Sequence, residues 1–165
     1  MGLSELPAPQ PPDSILRDDV IELRLIRVLG PADVDRRPAQ AQFLAPATEC
    51  RFAIHRREDG VRVGRIHVRL TDEPTIVRAL GHTGYEVAEA YQRHGYATRA
   101  LLAIRRVARH YHVAPFCVLI GPGNVASRRT AERAGLTLVD TVAATREALA
   151  MGLEQELCLY ATAQP

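Results

Sequence analysis

The residues with the most to say about chemistry are Gln92-Arg93-His94-Gly95-Tyr96-Ala97, which join a strand-like segment ending near Ala88 to an amphipathic helical segment beginning near Ala97. The first N–H groups of a helix have no intrahelical partner and together carry about half a positive charge, so a phosphate placed there meets several donors at once. Gly95 has no Cβ and tolerates the dihedrals such a cradle needs, while the small Ala97 leaves room for the anion. A second string, Gly121-Pro122-Gly123-Asn124-Val125-Ala126, also lies between a strand-like run and a helix and spells G-x-G-x-x-A, with Asp140 downstream. That is the dinucleotide-binding fingerprint, and it makes a nicotinamide dinucleotide domain using Gly121 and Gly123 the alternative reading. The unit would begin near residue 115, leaving room for two further strands where a longer series normally follows.

These junctions need elements to hold them, and the hydrophobic pattern supplies them. Ile21, Leu23 and Leu25 alternate with Glu22 and Arg24, as in a strand with one buried face. Residues 31–46 carry three prolines and allow short helical turns but no long helix. Residues 51–57, with Phe52 and Ile54 inward, and 61–70 flank Asp59-Gly60, which predicts a hairpin. A strand is expected over residues 80–88, with Thr83, Tyr85 and Val87 on one face and His82, Gly84 and Glu86 on the other. From Ala97 to Tyr111 the apolar positions repeat at helical spacing. Phe116 to Ile120 reads as a buried central strand, and a second helix is expected from Asn124 as N-cap to Ala134, with Gly135 as its left-handed stop. Strands over 136–142 and 156–161, joined by a loop, complete an α/β order.

With these elements in place, the chain resembles the GNAT (GCN5-related N-acetyltransferase) superfamily, whose pyrophosphate loop has the pattern Q/R-x-x-G-x-G/A before a helix; Gln92 to Ala97 fit it. Gly81-His82-Thr83-Gly84-Tyr85-Glu86-Val87 before it, and Asn124-Val125-Ala126-Ser127 and Ala134-Gly135-Leu136 after it, are similar to landmarks of the RimJ/RimL-like branch. The resemblance covers about residues 20–161 and is weakest before Arg51, where the usual helical pair is shortened. It implies a GNAT-like mixed, mostly antiparallel central sheet flanked by helices, and an acetyl-CoA-dependent N-acetyltransferase that moves an acetyl group to a primary amine. It further implies that backbone groups of Tyr85 to Val87 pair with the pantetheine arm, that Arg93, His94, Gly95, Tyr96, Ala97 and Thr98 hold the pyrophosphate, and that Asn124 bonds the pantetheine. Ser127 would lie near the sulfur, where its hydroxyl could protonate the leaving thiolate or simply cap the helix. The tyrosine that many members carry after this helix is missing, since none occurs between Tyr111 and Tyr160. The attacking amine must be neutral and must lose a proton, and Glu86, the nearest carboxylate on the relevant strand, is the candidate base; His82 is the weaker one. A backbone amide near Val87 is the candidate oxyanion donor.

Composition narrows the remaining classes. The formal charge of +2 names neither nucleic acid nor an anionic membrane as partner. Arginines 99, 105, 106 and 109 on one helix and 128, 129 and 133 on the next could form a basic face, although such arginines are usually solvated. His110 and His112 stand two apart on a helix and so do not share a face for a metal. Cys50, Cys117 and Cys158 are too scattered for a disulfide framework or zinc knuckle, which suggests a reducing, cytoplasmic setting. No stretch is apolar enough to span a membrane. Residues 1–14, with four prolines, are expected to be a flexible tail before one acetyltransferase domain over 15–165. The acceptor amine could be a small molecule or a protein N-terminus, and a homodimer would be a common outcome.

Overall fold

The structure, a computed structural model, describes residues 15–163; the tail expected over residues 1–14 lies outside them. The short strand β1 (Ile15–Arg17) turns into β2 (Ile21–Leu29), and two 3-10 turns, Pro31–Arg36 and Ala39–Leu44, follow in place of a helical pair. The hairpin of β3 (Thr48–Arg56) and β4 (Arg62–Leu70) turns at Gly60 with φ +73°, and Asp59 Oδ1 accepts from Val61 N at 3.1 Å. After α1 (Pro74–Leu80) comes β5 (Thr83–Val87), and these five strands form one antiparallel sheet in the order β1-β2-β3-β4-β5. Helix α2 (Tyr96–His110) leads to β6 (Cys117–Ile120), and α3 (Val125–Arg133) to β7 (Thr137–Ala143), α4 (Arg146–Ala150) and β8 (Glu156–Ala161). The last three strands form a second antiparallel sheet, ordered β6-β8-β7.

Four details depart from the sequence expectation. The strand expected to be central, β6, lies at the edge of its three-stranded sheet, because β8 inserts between it and β7. Leu80 does not begin a strand: Pro74, preset for the first helical turn, opens a helix that Leu80 ends, and Gly81 at φ +64° turns the chain into β5. The segment between β7 and β8 contains α4, capped by Thr145, whose side chain accepts from Ala148 N. The sheet also divides between β5 and β6 instead of running through. The dinucleotide alternative finds no support here, because it requires a parallel sheet and every strand ladder in the described residues is antiparallel.

One face of the larger sheet is apolar. Phe52, Ile54, Ile66 and Val68 pack there against Ala100, Leu101, Ile104 and Ala108 of α2, all essentially without exposure. Each fully buried leucine or isoleucine of this kind is worth roughly 1.5–3 kcal/mol. A smaller cluster joins Leu44, Ala47, Ile76, Ala79 and Leu80, with Met151 and Leu153 packed against it. Through it the early 3-10 turns, α1 and the segment after α4 meet on the far side of the sheet. Three arginines of the helices hold elements together: Arg99 bonds Asp18 and Asp19, Arg105 the Ala134 carbonyl, and Arg128 the Tyr160 hydroxyl and Pro122 carbonyl. All three cysteines are buried and unpaired. Among the described residues no helix is long and apolar enough to cross a membrane, and no group of three or more His, Cys, Asp and Glu could hold a metal.

Candidate functional site

The two sheets touch at the starts of β5 and β6 and part beyond them. His82 N donates to the Cys117 carbonyl at 2.8 Å, and Cys117 N donates to His82 Nδ1 at 2.8 Å, while His82 Nε2 donates to the Thr71 carbonyl at 3.2 Å. Both ring nitrogens are therefore engaged, which fixes a neutral tautomer. Burial drives the ring's pKa down to about 4. His82 is thus a clamp between the sheets, and the secondary role considered for it as base does not fit a ring with no free nitrogen. The turn before it is held by Arg69, whose Nη1 reaches the Leu80 and Gly81 carbonyls at 3.4 and 3.3 Å and whose Nε donates to buried Glu49 at 3.1 Å. Burial alone would raise the Glu49 carboxyl, but Arg69 and Arg51 more than offset this and hold it below the usual range.

Beyond the clamp a cavity of about 250 Å³ opens, lined by Thr83, Gly84 and Tyr85 on one side and Val118 to Gly121 on the other, with Asn124, Ser127 and Gly152 to Glu154 around them. β5 is the edge of its sheet on this side. Ala88 N donates inward to the Val63 carbonyl, so alternation turns the peptide groups of Tyr85 and Val87 toward the cavity. Gln92 Nε2 already occupies the Val87 carbonyl at 3.0 Å, which leaves the Val87 N–H for another partner. The Tyr85 ring crosses to α3 and its hydroxyl donates to the Ser127 carbonyl at 3.1 Å; burial raises its pKa above the usual phenol value. Sequence reasoning saw only the backbone of Tyr85; its hydroxyl stands at α3, after which no tyrosine occurs before Tyr160.

The loop before α2 has an unusual backbone. Arg93 and Gly95 are both left-handed, at φ 65° and 78°, and no side chain caps the helix at Gly95. His94 Nδ1 donates to the Gln92 carbonyl at 2.7 Å and its ring stacks on Tyr96 at 5.5 Å, stiffening the loop. The first N–H groups of α2, at Tyr96, Ala97 and Thr98, thus point to a surface where an anion can collect them. A Cβ at Gly95 would meet nothing within 4 Å, so the glycine answers to its dihedral and not to crowding. At α3 the side chain of Asn124 accepts from Ser127 N at 3.1 Å. Its amide NH₂ remains a donor, so capping and ligand contact are compatible.

Gly121, half of the dinucleotide string, lies beneath the Glu154 side chain. A Cβ there would overlap the Glu154 carboxylate, whereas Gly123 has nothing within 4 Å. Glu86 lies apart from the cavity lining. It is exposed and forms a bidentate pair with Arg65, its Oε2 accepting from Nε at 3.0 Å and from Nη2 at 2.6 Å. By alternation Glu86 shares a face with Gly84, opposite α2, and a Cβ at Gly84 would lie 2.8 Å from the His67 ring. His67 is itself held neutral by burial, at a pKa of about 3. Tyr85, Asn124 and Ser127 thus line the cleft, Val87 continues the free edge of β5 past it, residues 93–98 open the helix that follows, and Glu86 stands on the other face of β5.

With this geometry in view, the comparisons are consistent. The model described as acetyltransferase (GNAT) domain matches residues 22–137. Among solved structures, the chain is similar to a ribosomal-protein-S5-alanine acetyltransferase from Vibrio fischeri, at 16% identity and TM-score 0.61, covering 92% of this chain and 97% of that one. It is similar to an acetyltransferase from Agrobacterium tumefaciens, at 18% identity and TM-score 0.61, covering 97% and 99%. It is also similar to RimL, the ribosomal L7/L12 α-N-protein acetyltransferase in complex with coenzyme A, at 18% identity and TM-score 0.59, covering 89% and 96%. At such identities the likeness is one of fold. No curated protein matches the chain significantly.

Proposed function

We propose, from the premise that this chain belongs to the acetyltransferase (GNAT) family, that it moves the acetyl group of acetyl-CoA to a primary amine in the cleft between β5 and β6. The observation that carries the reading is the cleft itself, clamped at one end by His82 and Cys117, together with the uncapped helix start in the segment that follows β5. The pyrophosphate takes the N–H groups of residues 93–98, where helix charge and open donors coincide. The pantetheine arm follows the free edge of β5, meeting the peptide groups of Tyr85 and the N–H of Val87, with the Asn124 amide donating from the other side. The thioester then lies by the first turn of α3.

Attack by the amine nitrogen forms the C–N bond and places negative charge on the thioester oxygen, which a backbone N–H near Val87 stabilises. Collapse breaks the C–S bond. A charged amine loses two protons on becoming an amide: one leaves through water, with Glu86 as the base on the far face once it loosens Arg65, and one ends on the thiolate. Ser127, by its hydroxyl, is the proposed donor to sulfur. The acceptor is a primary amine of a small molecule or a protein N-terminus, and a single domain over residues 15–165 carries the reaction in a reducing, cytoplasmic setting. The test is thiol release from acetyl-CoA with a panel of spermidine, ribostamycin and an alanine-initiated peptide, beside thermal protection by CoA and by NAD. Protection by CoA alone, with release that depends on one of these amines, supports the reading. Protection by NAD alone overturns it.

A further inference from the structure

The cleft is bordered by residues of both strand faces. Val118 and Ile120 of β6 point into the core beneath α2, so alternation turns Leu119 and Gly121 to the opposite face, the same face that Gly84 presents on β5. Asn124 and Ser127, at the start of α3, border the cavity on the helix side. Glu154 borders it from the far side, in the segment between α4 and β8, with its carboxylate laid against Gly121. That segment is anchored: Gly152 N donates to the Leu149 carbonyl and Leu153 N to the Ala148 carbonyl, both at 3.0 Å, and Leu153 packs on the cluster of Ile76 and Leu80. Of the residues that line the cavity, Glu154 alone bears a formal charge. Among the described residues it has no ion-pair partner, in contrast to Glu86 and Glu49.

We propose that Glu154 receives the ammonium of the acceptor and so selects a cationic primary amine entering from the face opposite the cofactor. The inference rests on the acetyl-transfer reading and deepens it. A carboxylate on this side, carried by an anchored segment and itself exposed, attracts a positively charged amine, and its oxygens can accept N–H bonds from the nitrogen while water removes the one proton that blocks its lone pair. Gly121 leaves room for this placement, because a Cβ there would push the Glu154 carboxylate off the end of β6.

Two CoA thioethers test this without knowledge of the natural acceptor. S-(2-aminoethyl)-CoA carries an ammonium just past the sulfur, and S-propyl-CoA is its uncharged isostere. By calorimetry at pH 7, the unaltered protein should bind the first about tenfold tighter than the second. In Glu154→Gln the ratio should fall to about one, while affinity for CoA itself stays within about twofold. Gly121→Ala, which displaces the carboxylate, should also lower the ratio. Equal affinities in the unaltered protein, or a preference that survives Glu154→Gln, overturn the proposal and leave the acetyl-transfer reading standing. Failure of CoA and both thioethers to bind would overturn that reading instead.

Discussion

The starts of α2 and α3 follow β5 and β6, the two strands that flank the cleft, and are finished in opposite ways. At α2 the capping position is a glycine at φ 78° with no side-chain cap. At α3 an asparagine satisfies the Ser127 N–H at 3.1 Å. A Ser, Thr, Asp or Asn cap is worth about 1 kcal/mol over alanine at a helix start, and glycine forgoes only a few tenths of a kcal/mol of that, so leaving this start open costs the fold little. The open start keeps its donors for a ligand, whereas the capped start is rigid before any ligand arrives and offers one spare amide. Phosphate binding and pantetheine placement thus draw on different properties of the same structural feature.

Gly95→Val tests the first half of the contrast most severely. A β-branched residue is strained at this positive φ and fills the open space beside the donors. Acetyl-CoA affinity by calorimetry should fall more than about 100-fold, equivalent to roughly 2.7 kcal/mol. A folded variant with undiminished affinity would mean that the open start of α2 is not the phosphate site.

Glu86→Gln separates chemistry from both helix starts. General-base assistance is worth about 10²–10⁴-fold, and the lower end is expected for a base acting through water. With an amine substrate and chemistry limiting, kcat should drop about 100-fold while acetyl-CoA affinity is unchanged. Retention of near-parental kcat would leave Glu86 as a surface partner of Arg65.

Acid should loosen the clamp that both helix starts depend on. Folded His82 titrates near 4 because it is buried, whereas a free histidine titrates at about 6.5. As pH falls, the unfolded chain takes up the proton first. The contribution is therefore neutral at pH 7, turns against the fold below about 6.5 and levels off below about 4. From pH 7 to pH 5 the loss through His82 alone should be about 2 kcal/mol, read as a fall in the urea midpoint. A flat profile would show that the ring is not locked between Thr71 and Cys117.

The smallest effect divides the two roles of Asn124. Asn124→Ala should cost about 1 kcal/mol of stability by loss of the cap and lower CoA affinity roughly tenfold by loss of the amide donor. Asn124→Asp restores the cap but not the donor, so stability should recover while affinity does not. If both recover together, the asparagine acts on the cofactor only by opening the helix.

Local pattern made most of the architecture legible. The alternation in Ile21 to Leu25, the Asp59-Gly60 turn and the helical spacing from Ala97 to Tyr111 each encode an element with its own neighbours, so the sequence determined their existence and which face is buried. The phosphate loop was readable for the same reason, since Gly95 and the helix it opens are contiguous. Tertiary structure decided what depends on residues distant in the chain. His82 had the makings of a base in one dimension and became a clamp because folding brings Cys117 and Thr71 to its two nitrogens. Glu86 became half of an ion pair because β4 sets Arg65 opposite it. Gly121 looked like part of a nucleotide fingerprint until the strands around it proved to be antiparallel. A side chain's type and spacing fix what bonds it can make, but its actual partners, and hence whether it is free to act, are set by segments tens of residues away that only the packed sheets bring together.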